Sequence, residues 1–464
     1  MATEIQQLTD LITTSVSALL QLCDKNKTPF PDPNEPFTPQ SEAFRADPAV
    51  ANATNIIAAA AMQLAERVLP PHVVIFSLVF GHLKNAALRL ALELNITEIL
   101  REAGRLLRAL SLHHCYREVT PNVFANTRIS TVLDTGKNSK ELREKPEDKH
   151  EQTNGMVALL ELNSGDLAKS SAYLLENLRD PKTSHSSAKN HAPLNRAFNM
   201  ETSMWEWYET PEQEYRRRRF AIAMRGIAQM QPQDILDDGK ALDWEAFPAD
   251  SVVVDVGGGV GTASVALSRN HPHLKFIVQD SARVCAESKT HWAKELPEVL
   301  DTGRLAFTPK ALWTAHDFFT AQPVKNASVF ILKQILHNWD DARCVEILKA
   351  LRAAAMPDTK LIILDTIVAC TCHDSTLDNG HDKGAIEAPV PLLANFGAAN
   401  IISYTIDLAV MCLLNSGQRT LAQTNKLLKD AGWKIIDVKR RQPPSNFIEP
   451  IVAVPYTQTL APHD

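Results

Sequence analysis

The chain has 464 residues, 45% of them hydrophobic, and a formal net charge of −6. That length exceeds one ordinary domain of roughly 100 to 200 residues, so at least two cores are expected, and the acidic balance gives no general attraction to nucleic acid. Seven cysteines spread from Cys23 to Cys412 argue against a disulfide framework and for a cytoplasmic protein; with no basic leader and no run of ~20 uninterrupted apolar residues, neither secretion nor a membrane partner is expected.

Residues 3–23 carry Ile5, Leu8, Ile12, Leu19 and Leu20 at helical spacing, and the proline-rich stretch 26–48 that follows is expected to be extended. The alanine-rich stretch 49–68 and the stretch 73–94 read as helices. The second is apolar nearly all round, which suits burial between subunits or inside an interlocked N-terminal domain. A helix is expected over 104–112 and a hairpin over 116–127, turning at Pro121-Asn122. The charge-rich run 137–152 reads as a solvated loop. Helical pattern resumes over 153–232, where Arg216 to Arg219 follow Glu212 and Glu214 as a solvated helix face. Met224, Trp205, Trp207 and Tyr208 fit either helix core or the wall of an acceptor pocket.

Residues 252–262 read Val-Val-Val-Asp-Val-Gly-Gly-Gly-Val-Gly-Thr, a β-branched run that stops in a glycine turn and feeds a helix-periodic stretch. A dinucleotide fingerprint starting at Gly257 would need its third glycine at 262, where Thr262 stands. The acidic-x-Gly-x-Gly-x-Gly spacing suits S-adenosylmethionine (SAM). Gly257 and Gly259 let the backbone pass close to a ligand, and Asp255 can receive ammonium or ribose hydroxyl donors; a plain tight strand-to-helix turn is the bland alternative. Residues 274–280 form a second buried strand ending in Asp280, either a ribose diol clamp or the N-cap of the helix that follows.

Residues 329–332 and 360–365 are further strands, and the first runs into Lys333-Gln-Ile-Leu-His337-Asn-Trp-Asp-Asp341. A neutral imidazole at a strand's carboxyl end, where open α/β sheets bind ligands, can take a proton from an acceptor hydroxyl; a capping or core histidine is the alternative. Cys370-Thr-Cys372-His373 has no second ligand pair at zinc spacing, so no metal is expected. The irregular segment 373–400 hints at a hydrophobic acceptor. The strands 434–438 and 451–454 read as an antiparallel hairpin closing the sheet, unlike a dinucleotide fold.

Taken in order, Asp255-Val-Gly-Gly-Gly-Val-Gly261, Gln279-Asp280, His316-Asp317-Phe318, Leu332-Lys-Gln-Ile-Leu-His337-Asn-Trp-Asp340, Asp365 and Asn415-Ser-Gly-Gln-Arg-Thr420 carry a resemblance. The chain resembles the class I SAM-dependent O-methyltransferases of plant and fungal secondary metabolism, the caffeate and flavonoid type, over most of its length. That resemblance implies an α/β, Rossmann-like methyltransferase domain with an N-terminal α-helical, winged-helix-like dimerisation domain. It divides the chain into 1–152 for dimerisation, 153–232 as a helical connector contributing to the acceptor pocket, and 233–464 for SAM binding and catalysis. The winged-helix part is expected to be short, because the helix pair usual between 96–99 and 105–110 is missing.

By the same resemblance His337 is the general base and Asp365 the acid that holds its imidazole. Gln418 stands where the family has a glutamate, a departure that weakens support for imidazolium. Asp317 and Phe318 match adenine contacts, Lys333 an adenosine contact, and Met224 and Trp339 the acceptor pocket. The implied function is methyl transfer from SAM, giving S-adenosylhomocysteine, to a hydroxyl of a small secondary metabolite, phenolic in the family pattern, by a cytoplasmic homodimer. The alternatives are a SAM-dependent scaffold used for a non-methylating dehydration or pericyclic reaction, and a SAM-binding regulatory protein without turnover.

Overall fold

The computed structural model describes residues 3–33, 35–70, 81–93, 104–231, 241–286, 313–373, 387–440 and 448–456, with 74, 95, 235, 236 and 288. It groups into two compact units. One comprises Met1–Met230, Ala388–Ile401 and Met411–Asn415; the other comprises Gln231–Glu387, Ile402–Val410 and Ser416–Asp464.

The first unit is built mainly of helices. Glu4–Asn26 starts at a capping box in which Thr3 and Gln6 satisfy each other's backbone N–H groups. Pro48–Val68 starts with proline in its first turn and Asp47 accepting the Ala49 N–H at 2.8 Å. The two helices share a core of Leu19, Cys23, Phe44, Val50 and Ala53. Of the apolar stretch 73–94, Gly81–Glu93 is a helix, and most of the rest lies outside the described residues, as does 96–103. Helix Gly104–Ser111 precedes strands β1 (Tyr116–Thr120) and β2 (Val123–Asn126), an antiparallel hairpin whose turn uses Asn122 at φ 64°. Leu92, Leu107, Tyr116, Leu133 and Val157 form the core beneath it.

Two expectations for this unit need correcting. The run 137–152 is not a solvated loop: Ser139–Glu144 is a helix capped by Asn138, and Lys149 and His150 are buried on Glu161 at 2.7 and 2.8 Å. Burial would raise the Glu161 carboxyl, but the His150 hydrogen bond and the Lys149 charge hold it down at about 2. The arginine run is not a solvated face either. Arg219 is buried on Asp166, Arg216 lies 3.4 Å from the same carboxylate, and Arg218 pairs with Glu151 at 2.7 Å. Local charge pattern could not reveal partners brought in from 50 or more residues away.

The second unit carries a seven-stranded sheet in the order β5-β4-β3-β6-β7-β9-β8. Its strands are β3 (Val252–Val256), β4 (Lys275–Asp280), β5 (Trp313–Ala315), β6 (Ala327–Lys333), β7 (Lys360–Asp365), β8 (Trp433–Val438) and β9 (Glu449–Pro455). β5 carries no strand signal strong enough to have been expected. The first five run parallel, and β9 pairs antiparallel with both β7 and β8. Continuous apolar runs such as 361–364 are buried completely, as parallel strands covered on both faces require. Helix Asp341–Ala354 and helix Leu421–Asp430 cover one face around Trp433, whose indole donates to the Leu348 carbonyl at 2.9 Å. Trp244, Val265 and Leu267 cover the other.

Candidate active site

The carboxyl ends of β3 and β4 build the first half of the site. Gly257, Gly259 and Gly261 all take positive φ, 69°, 58° and 79°, which a residue with a Cβ resists. The Gly257 and Gly258 N–H groups donate to the Gln279 carbonyl at 2.7 and 3.1 Å. The Gly259 N–H donates to the Asp280 carboxylate at 2.9 Å. That carboxylate also accepts the Ser281 N–H at 2.7 Å, while Ser281 Oγ accepts the Val284 N–H at 3.4 Å. The capping of the next turn is therefore carried by Ser281, and Asp280 ties the glycine turn to its neighbouring strand. Burial raises the Asp280 carboxyl, opposed by these two N–H groups.

Asp255 lies fully buried beneath the turn. One oxygen accepts the Ser264 hydroxyl at 2.8 Å, and the other has no hydrogen-bond partner. Burial pushes its carboxyl up to about 6 against the Ser264 hydrogen bond and the charge of Lys333. Burial in turn lowers Lys333, opposed by Asp255. Ser264 is not legible in the sequence as a site residue, because a hydroxyl in the first turn of a helix has no local mark of its partner.

Phe318 and Ile335 flank the glycines: a Cβ at Gly257 would fall 2.5 Å from Ile335 Cδ1 and 3.5 Å from Phe318 Cε1. Trp339 meets Phe318 and Phe319 edge to face, with ring centroids 5.8 and 4.7 Å apart. Asp317 is exposed and turns its carboxylate to the Phe319 N–H at 3.0 Å. At Gly259 a Cβ would meet nothing within 4 Å. An open glycine turn, a buried carboxylate with an unpartnered oxygen and a second acid one strand away fit an adenosyl sulfonium ligand.

The carboxyl ends of β6 and β7 build the second half. β6 leads into the 3-10 turn Leu336–Asn338, which holds His337 with its side chain 13% exposed. The Gln418 amide nitrogen lies 3.0 Å from His337 Nδ1, and Asp365 Oδ1 lies at 3.6 Å. Asp365 Oδ1 and Gln418 Oε1 are both buried without a hydrogen-bond partner. Burial pushes the Asp365 carboxyl up to about 7, against the Arg419 charge and the backbone N–H groups of His337 and Leu336. Arg419 donates to the Leu336 and Trp339 carbonyls at 2.8 and 2.6 Å and pairs with Asp341 at 2.9 Å, clamping the turn from both sides. Arg419 stands in the Asn415–Thr420 motif, but nothing in that motif marks this task.

Met224 lies in helix Glu214–Met230 of the helical unit, against Ala158, Ile222 and Ala223. Trp205 and Tyr208 each pack on Phe220. His373 pairs with Glu387 at 2.9 Å, and no group of three metal-ligating side chains occurs among the described residues.

Residues 177–434 match the O-methyltransferase domain model. The chain belongs to the SAM-dependent O-methyltransferase family. It is 36% identical to 4-O-methyltransferase 1 of Phanerochaete chrysosporium over 98% of this chain and the whole of that protein. It is 35% identical to an O-methyltransferase of Armillaria gallica over 94% of this chain and 96% of that protein. A solved structure described as a pericyclic reaction enzyme shares the fold with a TM-score of 0.62, covering 97% of this chain and 100% of its own, at 17% identity. The methyltransferase takes its methyl group from SAM and transfers it to a hydroxyl of a small molecule.

Proposed function

We propose that the methyltransferase acts on a phenolic hydroxyl and that His337 removes its proton. The observation that carries this reading is the pair of idle acceptors beside Nδ1. A half-turn of the Gln418 amide brings Oε1 to the place its nitrogen occupies, where it accepts a proton from Nδ1–H. That tautomer leaves Nε2 with its lone pair available to an acceptor oxygen.

When bound, SAM supplies a methyl group already activated on a sulfonium. The chain's own residues then have to align an oxygen and see that it loses its proton. A free phenol has a pKa near 10 against about 6.5 for histidine, so complete ground-state transfer is costly and transfer concerted with attack is the economical course. Arg419 holds the backbone on both sides of His337, and Asp365 fixes that turn through the Leu336 and His337 N–H groups. Asp255, Gly257, Gly259, Asp280, Asp317, Phe318 and Lys333 are assigned to SAM, and Trp339 to the acceptor.

We further infer a cytoplasmic homodimer. Its support is the exposed apolar set on the first unit's long helices, Leu20, Met62 and Val68, together with Ile401, Ile402 and Leu408 of helix Ile401–Leu414. The seven cysteines, none of them in a disulfide, suit a reducing compartment. Incubation with methyl-labelled SAM and a panel of phenols, catechols and aromatic polyketides tests the acceptor assignment. Labelled aryl ether with matching S-adenosylhomocysteine is the expected result; label appearing only on non-phenolic hydroxyls would refute it.

A further inference from the structure

A positive φ is uncommon outside glycine, because the Cβ then crowds the following carbonyl oxygen. Lys27, Asn199 and Asn415 adopt it as the last residues of helices, and Asn122 adopts it in the hairpin turn. Gln334, at φ 56°, has no such task. It stands between Lys333, the end of β6, and the turn that carries His337. Three contacts hold it there. Its backbone N–H donates to the Leu364 carbonyl of β7 at 2.8 Å, and its own carbonyl accepts the Asn338 side-chain amide at 3.1 Å. Its side-chain oxygen accepts the amide of the buried Gln231 at 2.9 Å.

Backbone strain of this kind persists only where the surroundings over-determine it, and it gathers at sites that need a fixed geometry. The next residue is Ile335, whose Cδ1 lies 2.5 Å from where a Cβ on Gly257 would stand, and two residues further on is His337. We propose that Gln334 is a positioning residue for methyl transfer. Anchored by Gln231, its left-handed backbone turns the chain out of β6 so that Ile335 packs on the glycine turn and His337 takes its place in the second half of the site. The part that concerns His337 rests on its proposed role as base; the part that concerns Ile335 rests on the glycine turn alone.

The test separates backbone conformation from side chain. Gln334→Ala keeps the Cβ and loses the anchor to Gln231, whereas Gln334→Gly loses the anchor but takes a positive φ freely. Gln231→Leu removes the anchor from the other side. Affinity for S-adenosylhomocysteine is read by calorimetry. Alongside it, kcat and KM are read with the phenol that the labelled-SAM panel shows to be methylated fastest.

Gln334→Ala and Gln231→Leu should each weaken S-adenosylhomocysteine binding and lower kcat by about five- to thirtyfold, the population cost of a left-handed residue that has lost its anchor, with the acceptor KM little changed. Gln334→Gly, alone or combined with Gln231→Leu, should recover both to within a few-fold of native. A side chain needed only for packing gives the opposite order, since glycine packs less and costs more chain entropy than alanine. An alanine variant as good as the glycine variant in both readouts would overturn the inference and leave the base assignment standing. Recovery of affinity without recovery of kcat would uphold the Ile335 part and overturn the His337 part. Native turnover in His337→Ala would overturn the base assignment, and the order of affinities alone then decides on Gln334.

Discussion

The glycine turn and the His337 turn stand at the same edge of one sheet, at the carboxyl ends of β3 and β6, yet they are held by different means. The glycine turn is fixed by backbone N–H groups on the Gln279 carbonyl and the Asp280 carboxylate, contacts drawn from two adjacent strands. The His337 turn is fixed by side chains that arrive 81 and 83 residues later, Gln418 on the imidazole and Arg419 on the carbonyls. A turn built on backbone geometry tolerates few residue types, whereas a constellation of distant side chains can exchange a carboxylate for an amide and retain its shape. Under the proposed assignments the first half holds the donor, and the second is where a change of acceptor can be accommodated.

The sharpest break between the halves is His337→Ala. It should lower kcat/KM on a phenolic acceptor by about 10² to 10⁴ and leave S-adenosylhomocysteine affinity within a few-fold by calorimetry; a collapse of that affinity would show that the two turns are not separable. Gly257→Ala should do the reverse. Its Cβ would meet Ile335 at 2.5 Å with φ held at 69°, so affinity for the same ligand should fall by about tenfold or more, with roughly 1 to 2 kcal/mol lost in thermal unfolding.

A smaller effect is expected at Ser264→Ala, which leaves the buried Asp255 carboxyl without its 2.8 Å hydrogen bond. About 1 to 3 kcal/mol of stability should be lost by chemical denaturation, and an unchanged midpoint would show that the bond contributes nothing net. The last contrast is in pH. Asp365 holds its proton up to about 7 in the folded state, while an unfolded aspartate releases it near 4. The folded chain thus binds the proton more tightly, and the stability this gives is full below about pH 4 and is lost as pH rises through about 7. Asp365→Asn, which cannot ionise, should lose less stability than the native enzyme across that window, by up to roughly 1.4 kcal/mol per pH unit. Parallel melting curves at pH 5 and 8 check the sign.

Much of the catalytic sheet was legible in the sequence because buried parallel strands are short β-branched runs: Val252–Val256 and Lys360–Asp365 could be read almost to the residue. The three-residue β5 could not, since Trp313–Ala315 is too short for any period to show. Among site residues, Asp255, the glycines, Asp280 and His337 stand in motifs of fixed spacing. Ser264 as the support of Asp255 and Arg419 as the clamp of the His337 turn have no such mark.

The sequence by itself pointed to the donor, and its family resemblance to the chemistry. An acidic-x-Gly-x-Gly-x-Gly turn followed by a second acid and a His-Asn-Trp-Asp element leaves few other uses, because the backbone must take positive φ at three places and only glycine does so freely. Tertiary structure decided the surroundings of His337: that an amide is hydrogen-bonded to Nδ1, that Asp365 stands 3.6 Å from it with its carboxyl raised by burial, and that a guanidinium braces the turn. Those depend on burial and on distances between segments far apart in the chain, which order along a sequence does not contain.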